Sequence, residues 1–265
     1  MTQQANQYRI LPVQGTNESR VISEVVNNAM QGKTNNHGTI TLATAGATTT
    51  TLYDERIGFN SIILLDPLTE NAADTRQPYG EFSNLATQTF AVADTIYNVN
   101  LSTTEESYAT SLGSNRITVE HGGTYNLLFS LQFANSSASA IGEASVWLRI
   151  NGTDVPDSAF LRSIPASHAG GDGYALMTSN VFLQLAANDY VEVMVAVSNT
   201  DVVLQYNAAQ ATPYVKPTTP SAIVTLNIVA PVIAVWVNER QKGQATLQHL
   251  PNYYADKTFG YIIVG

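Results

Sequence analysis

Cysteine is absent from this chain of 265 residues, and charged residues make up only 12% of it. The lack of thiols excludes disulfide bonds and thiolate metal sites. The charged share is about half of the usual one, and 21 acidic residues against 12 basic ones give a formal net charge of -9. Because a phosphate backbone repels such a chain and no Lys/Arg cluster offsets the repulsion, we expect no nucleic-acid partner.

Long hydrophobic runs are also missing. No stretch approaches the roughly 18 apolar residues that a membrane span needs. The N-terminal stretch MTQQANQYRILPVQG has no basic region followed by an apolar run. We therefore expect neither a membrane partner nor a secretory signal.

Helical periodicity is clear in one place, close to the N-terminus. In NESRVISEVVNNAMQGK, apolar side chains recur at about 3.6 residues per turn, at Val21, Ile22, Val25, Val26 and Met30. Asn17 or Ser19 can cap the start, and Gly32 favours the end. The pattern predicts one amphipathic helix, which packs either on its own domain or on a neighbouring protein.

From Gly38 onward, the sequence has the pattern of short β-strands. In HGGTYNLLFSLQF, residues 121–133, apolar and polar side chains alternate, which predicts a strand with one face in a core. Asn151-Gly152 is a strong hairpin signal, and residues 71–84 read as a linker. Successive short strands without intervening helices predict an antiparallel sandwich or jelly roll.

The residues able to carry chemistry are scattered. The four histidines lack the spacing of a metal site; they are His37, His121, His168 and His249. Asp154 and Asp157 follow the hairpin signal, where a turn role is favoured over a cation site. No nucleophile motif or paired-carboxylate cleft is found. We therefore expect no enzyme, no cofactor and no metal.

Three motifs follow one another in the middle of the chain. They are GGTYNLLFSLQF, VWLRINGTDV and LQLAANDYVEVMV. In this order they resemble the TNF-like jelly roll of complement-type globular heads, over roughly residues 85–229. Asn188-Asp189 stands where that family usually has Gly-Asp. Because members of this fold form homotrimers through sheet faces, the resemblance implies a homotrimer.

The two ends of the chain share another pattern. GTITLATAGATTTTLYDERIGFNSIILLDPLTENAA spans residues 38–73, and VWVNERQKGQATLQHLPNYYADKTFGYIIVG spans residues 235–265. Together they resemble a small β domain that is widespread in tailed-phage structural proteins. The residues in family order include Gly243, His249, Asp256, Thr258, Phe259, Tyr261 and Gly265. The match implies that His249 is a structural histidine in a strand.

Both resemblances combine into one expected organisation. The predicted fold is mainly β: a split small β domain with a short N-terminal helix, carrying an inserted TNF-like antiparallel jelly-roll sandwich. The predicted boundaries are 1–37 for the arm and helix, 38–80 with 230–265 for the split β anchoring domain, and 81–229 for the jelly roll. Insertion at an exposed loop with nearby ends is a tolerated architecture.

The resemblances, the low charge and the many Thr, Ser and Asn residues imply a structural protein of a phage virion. The leading expectation is a homotrimeric capsid decoration or cement protein on the outer surface of the head, bound to the major capsid protein. The expected anchoring residues are Tyr8, Ile10, Val21, Val25 and Met30. The alternative is a receptor-binding head fibre or tail protein, whose loops near Tyr206 and Tyr214 contact host surface glycan.

Apolar residues on the second face of two strands suggest where subunits meet. The face of strand 125–133 that points away from the core is polar except for Leu128. The valine-rich strand after Asn188 carries Tyr190 and Met194 on its second face. Taking the two strands as neighbours, we predict one patch of Leu128, Tyr190 and Met194 between the subunits of an obligate trimer.

Overall fold

The computed structural model describes residues 19–31, 36–74, 76–229, 235–252 and 254–265. Within these ranges the chain is mainly β, as predicted, with antiparallel sheets and two short helices. Contacts divide the chain into a split unit, Met1–Thr75 with Val232–Gly265, and an inserted unit, Arg76–Pro231.

The helices are α1, Ser19–Met30, and α2, Glu70–Ala73. The strands are β1 His37–Thr41, β2 Ala47–Tyr53, β3 Ile62–Pro67, β4 Tyr79–Asn84, β5 Tyr97–Asn98, β6 Thr103–Tyr108, β7 Thr110–Gly113, β8 Arg116–Val119, β9 Gly123–Asn135, β10 Gly142–Ile150, β11 Thr153–Asp154, β12 Phe160–Ile164, β13 Gly173–Leu185, β14 Tyr190–Val197, β15 Val202–Leu204, β16 Ala222–Ile228, β17 Val235–Gln241, β18 Gln244–Asn252 and β19 Thr258–Val264.

The split unit is built from both ends of the chain. Its sheet A has the order β1-β19-β3, and its sheet B has the order β17-β18-β2, so each sheet joins strands from before and after the insert. One buried cluster combines Ile63, Phe259 and Ile263 of sheet A with Leu52 and Leu247 of sheet B. The C-terminal segment forms the hairpin β17–β18 and the terminal strand β19.

The inserted unit contains two larger sheets. Sheet C has the order β13-β9-β16-β4-β6, with β15 beside β9. Sheet D has the order β11-β10-β14-β8-β7, with β12 beside β10 and β5 beside β14. Their inner faces share one buried cluster that includes Leu127 and Phe129 of β9 and Val191 and Val193 of β14.

Local sequence signals in the inserted unit correspond closely to its strands. The alternation in residues 121–133 is confirmed by β9, in which Tyr125, Leu127 and Phe129 have no exposed surface. The hairpin signal is confirmed as well, because the turn between β10 and β11 has φ of 50° at Asn151 and 79° at Gly152. Positive φ at both central residues is typical of the primed turns that join antiparallel strands.

The linker prediction for residues 71–84 is wrong over most of its length. The segment contains the end of α2 and all of β4, so the predicted boundary between residues 80 and 81 falls inside a strand of sheet C. Gly80, which lies on β4, allows close packing of its neighbours. A Cβ at Gly80 would lie 2.6 Å from both the Phe82 ring and the Thr110 hydroxyl oxygen.

Candidate functional site

The predicted interface residues lie on two different sheet faces. Leu128 belongs to β9 in sheet C, whereas Tyr190 and Met194 belong to β14 in sheet D. Since the inner faces of both sheets share one core, alternate residues of the two strands point away from it on opposite sides. The prediction of one shared patch is therefore wrong, because β9 and β14 belong to different sheets and are not neighbours.

Met194 and Tyr190 are engaged within the chain. Met194 is only 2% exposed and is flanked in register by Trp147 of β10 and Asn98 of β5. The half-buried Tyr190 ring lies 4.4 Å from the guanidinium carbon of Arg116. A cation over an aromatic face is attractive, so Tyr190 has a structural partner on the outer face of sheet D.

The outer face of sheet D also carries a nearly buried carboxylate. Glu192, 4% exposed, stands alone among the apolar residues of β14. Its Oε1 accepts hydrogen bonds from Asn98 Nδ2 at 2.9 Å and from Arg116 Nε at 3.1 Å. The bond to Glu192 raises the pKa of Arg116. The sequence signal for this network is the single acidic residue within VEVMVAV.

Asp154 is held by donors of the neighbouring strand. Its Oδ1 accepts from Arg149 Nε and from Trp147 Nε1, each at 2.8 Å. The Arg149 bond, followed by the Trp147 bond, lowers the pKa of Asp154 below its usual value. This carboxylate is engaged at the hairpin, in agreement with the predicted turn role. Within the described ranges, no group of three or more His, Cys, Asp or Glu is placed to hold a metal ion.

The outer face of sheet C is the more apolar of the two. We define the sheet C face as Leu128 of β9 with Tyr174, Leu176 and Phe182 of β13. Register places Phe182 opposite Asn126 and Leu176 opposite Gln132, which are outward-facing residues of β9. The exposed fractions are 38% for Leu128, 58% for Tyr174, 54% for Leu176 and 66% for Phe182. Sequence reasoning found Leu128 but missed the three residues of β13.

A polar atom on the same face has no partner within the described chain. The Oδ1 atom of Asn126 is shielded from solvent but accepts no hydrogen bond. Phe182 and Asn227 flank Asn126 in register. A shielded acceptor without a donor is unfavourable, so Asn126 destabilises this part of sheet C in the conformation of the single chain.

The predicted structural role of His249 is confirmed. The side chain is 3% exposed, and its Nδ1 lies 2.8 Å from the carbonyl oxygen of Leu250. Because a carbonyl only accepts, Nδ1 carries the proton. Nε2 then accepts from the Thr50 hydroxyl at 2.8 Å, and the oxygen of that hydroxyl accepts from the Ala43 amide. The ring thus joins β18 to β2 and the turn before it.

The predicted anchoring residues fall in two groups. Tyr8 and Ile10 lie outside the described residues. Val21, Val25 and Met30 lie on α1, which confirms the predicted helix but buries none of its side chains. None of the helices described is long and apolar enough to cross a membrane.

A scan against protein-family models finds no match, and neither does a search of the curated proteins.

Proposed function

We propose that this protein is a structural component of a tailed-phage virion, a homotrimer that decorates and cements the outer surface of the head. The observation that carries the proposal is the construction of the split unit. The two terminal segments, which resemble the halves of a small β domain of tailed-phage structural proteins, fold into one unit. Within it, β19 lies between β1 and β3.

The inserted unit is assigned to the TNF-like jelly-roll class. The support is its topology: β8, β9, β10, β13, β14 and β16 alternate between sheets D and C along the chain. All strand pairs in these two sheets are antiparallel. Two antiparallel sheets connected by repeated crossings fit the jelly-roll class of sandwich.

The sheet C face is assigned to contacts between the three subunits. The support is its four exposed apolar side chains. In addition, β13 ends the order of sheet C, and its sequence GYALMTSNVFLQL has no charge or proline to discourage association. An apolar patch of this kind usually marks association, and a cyclic trimer would bury it on every subunit.

The contact with the major capsid protein is assigned to the polar N-terminal arm, which contains Tyr8 and Ile10. Decoration of a shell requires many copies per particle, whereas a fibre or tail part requires few. Quantitative mass spectrometry of purified virions tests the role directly. About three chains for each local threefold position of the shell support decoration, and a few dozen copies or fewer contradict it.

Light scattering of purified variants tests the subunit contact. Leu128→Asp places carboxylates at the proposed contact, where desolvation and like charges disfavour association. Leu161→Asp is the matched control, because Leu161 is 71% exposed but lies on β12 beside sheet D. We expect Leu128→Asp to give monomers or aggregates and Leu161→Asp to remain trimeric. A well-folded Leu128→Asp trimer with unchanged melting would reject the assignment.

A receptor-binding fibre or tail protein is the second candidate, and one loop of the inserted unit favours it. Backbone hydrogen bonds pair Asn207 with Thr219 and Gln210 with Lys216. The loop they close presents Tyr214, 64% exposed, and Val215, 84% exposed, whereas Tyr206 is half-buried. An exposed aromatic side chain such as Tyr214, on a loop closed by backbone hydrogen bonds, can pack against a sugar ring. Tyr214→Ala virions that keep their copy number but adsorb poorly to host cells would favour this role.

A further inference from the structure

An apolar surface also lies on the outer face of sheet A, away from the residues assigned above. Register places Ile62 opposite Val264 and Leu64 opposite Ile262. The residue between each pair along the strands points inward, since Ile63 and Ile263 belong to the core of the split unit. We call Ile62, Leu64, Ile262 and Val264 the apolar ladder.

The apolar ladder is exposed in the single chain. The exposed fractions are 57% for Ile62, 56% for Leu64, 44% for Ile262 and 50% for Val264. Antiparallel sheets with one solvated face normally carry polar residues there. Leu68, 53% exposed, extends the surface, because its side chain lies 3.5 Å from the position of a Cβ on Gly260. A continuous apolar surface of this kind indicates a binding partner.

Helix α1 is a second apolar surface, and no described residue of the chain buries it. It has 12 residues and buries none of them, and Ile22, Val26 and Met30 are 43%, 52% and 82% exposed. A helix of this length is marginal in water unless its apolar face packs on something. The first turn has no acidic residue and the last turn has no basic one, so interactions of charged side chains with the helix dipole add little stability.

Chain connectivity keeps α1 close to the apolar ladder. Asn36 is fixed to β19, because its Nδ2 donates to the Ile263 carbonyl at 3.0 Å and its carbonyl accepts from the Ile263 amide at 2.8 Å. Five residues separate Met30 from Asn36, and a chain of this length spans at most ~20 Å. In the single chain, however, α1 does not cover the ladder.

We infer that α1 binds the apolar ladder of a second copy of this chain, so that neighbouring copies exchange their N-terminal helices. The dimensions match: α1 is about 18 Å long, and the strand from Ile62 to Leu68 covers roughly 20 Å. The exchange of one element between identical subunits is a low-cost route to association. Association of the chains through the sheet C face would itself bring the helices and ladders of different copies to a high local concentration.

The inference rests on the proposed self-association but uses a different surface. It assigns Val21, Val25 and Met30 to a contact between copies in place of the expected contact with the shell. The arm residues Tyr8 and Ile10 are then the residues that remain for the major capsid protein.

Disulfide trapping in the full chain tests the exchange. Because the chain has no native cysteine, every disulfide that forms involves the introduced residues. The test variant carries Val25→Cys with Leu64→Cys, is oxidised mildly and is run on a non-reducing gel. We expect covalent dimers and trimers to be the main products. An intrachain disulfide, seen as monomer without free thiols, would overturn the inference, and so would two free thiols.

The matched control carries Asn27→Cys with Leu64→Cys. Asn27 lies on the polar face of α1, so we expect its cross-linking to be at least about tenfold weaker, and equal cross-linking would overturn the assignment of the apolar face. If the first pair misfolds, Val25→Cys with Ile262→Cys makes the same test. Light scattering of the reduced protein separates the two proposals. Trimers without cross-links reject the helix exchange alone, and monomers reject the self-association as well.

Discussion

At the scale of single residues, a cluster around Asp54 joins the two sheets of the split unit. Asp54 directly follows β2 of sheet B, and its Oδ2 accepts from the Tyr261 hydroxyl of sheet A at 2.8 Å. Arg56 Nε donates to Asp54 Oδ1 at 2.8 Å. Gly38 lies against the Tyr261 ring, where a Cβ would come within 2.5 Å of the ring carbon Cζ. These residues come from both ends of the chain and meet at one point.

Tyr261 makes the split unit sensitive to alkaline pH. Burial, followed by the hydrogen bond to Asp54, raises the pKa of Tyr261 from 10.0 to about 12. A raised pKa adds stability that is complete below pH 10 and is lost as the pH rises from 10 to about 12. We expect Tyr261→Phe to abolish this alkaline loss and to lower the free energy of unfolding at neutral pH by ~1–2 kcal/mol.

Tryptophan fluorescence can follow the split unit separately. Trp236 lies in the split unit and Trp147 in the inserted unit, so Trp147→Phe leaves one reporter. Urea unfolding at several pH values then measures the effect. If the free energy of unfolding of Tyr261→Phe still falls by the same amount at alkaline pH, the prediction is contradicted.

Asp54 gives the opposite dependence at acid pH. Burial alone would raise the pKa of the carboxyl, but hydrogen bonds from Arg56 and Tyr261 outweigh burial and hold the pKa below its ordinary 3.8. A lowered pKa adds stability that is present above pH 3.8 and is lost as the pH falls through the folded-state pKa. We expect Asp54→Asn to be less stable at neutral pH and to show a smaller acid loss. Urea unfolding followed by Trp236 fluorescence measures the stability of both proteins at neutral and acid pH. If Asp54→Asn and the unchanged protein lose equal stability in acid, the prediction is refuted.

At the scale of elements, the turn between β10 and β11 depends on its glycine. Gly152 has φ of 79°, where a side chain costs about 1–2 kcal/mol. Gly152→Ala should lower the free energy of unfolding of the inserted unit by that amount, measured by Trp147 fluorescence in a Trp236→Phe background. Gly113→Ala is the control, because a Cβ there meets nothing within 4 Å, and we expect a change below ~0.5 kcal/mol. Equal effects of the two substitutions would contradict the assigned strain.

Element positions also explain which sequence-based predictions succeeded. The helix α1, the strand β9 and the turn at Asn151-Gly152 were predictable because neighbouring residues alone produce their periodicity or backbone conformation. The strand β4 was missed, since Pro78 and Gly80 are turn signals by composition. Pro78 instead directly precedes the strand. Its carbonyl oxygen accepts a hydrogen bond at 2.9 Å from the amide of Ile228, a residue near the C-terminal end of the inserted unit.

At the scale of the whole molecule, the inserted unit begins and ends on adjacent strands. In sheet C, β4 pairs with β16, and Tyr79 lies opposite Asn227. The two ends of the unit therefore leave it side by side, as insertion into another domain requires. We expect residues 76–229 produced alone to fold, with a β-sheet circular dichroism spectrum and a cooperative thermal transition. A spectrum typical of an unfolded chain would show that the unit depends on its flanks.

The arm is expected to act on the assembly without affecting the fold. Deletion of residues 1–18 should leave trimers with unchanged melting, because described residues that follow Gly38 already form the two hydrophobic cores. Binding to capsids that lack the protein should weaken about tenfold or more, which corresponds to at least ~1.4 kcal/mol. Cosedimentation with purified capsids measures the effect. Unchanged saturation and affinity would move the shell contact to the split unit.

The sequence by itself determined the β character, the amphipathic helix, the turn at Asn151-Gly152 and the structural role of His249. All of these follow from local periodicity, from turn chemistry or from motifs within one segment. Tertiary structure alone decided that Leu128 and Met194 point to opposite sides, that three residues of β13 join Leu128, and that the apolar ladder exists. The physical reason is that sheet membership depends on pairing between distant segments. The alternation within a strand reveals that one face is buried, but not which strand lies beside it.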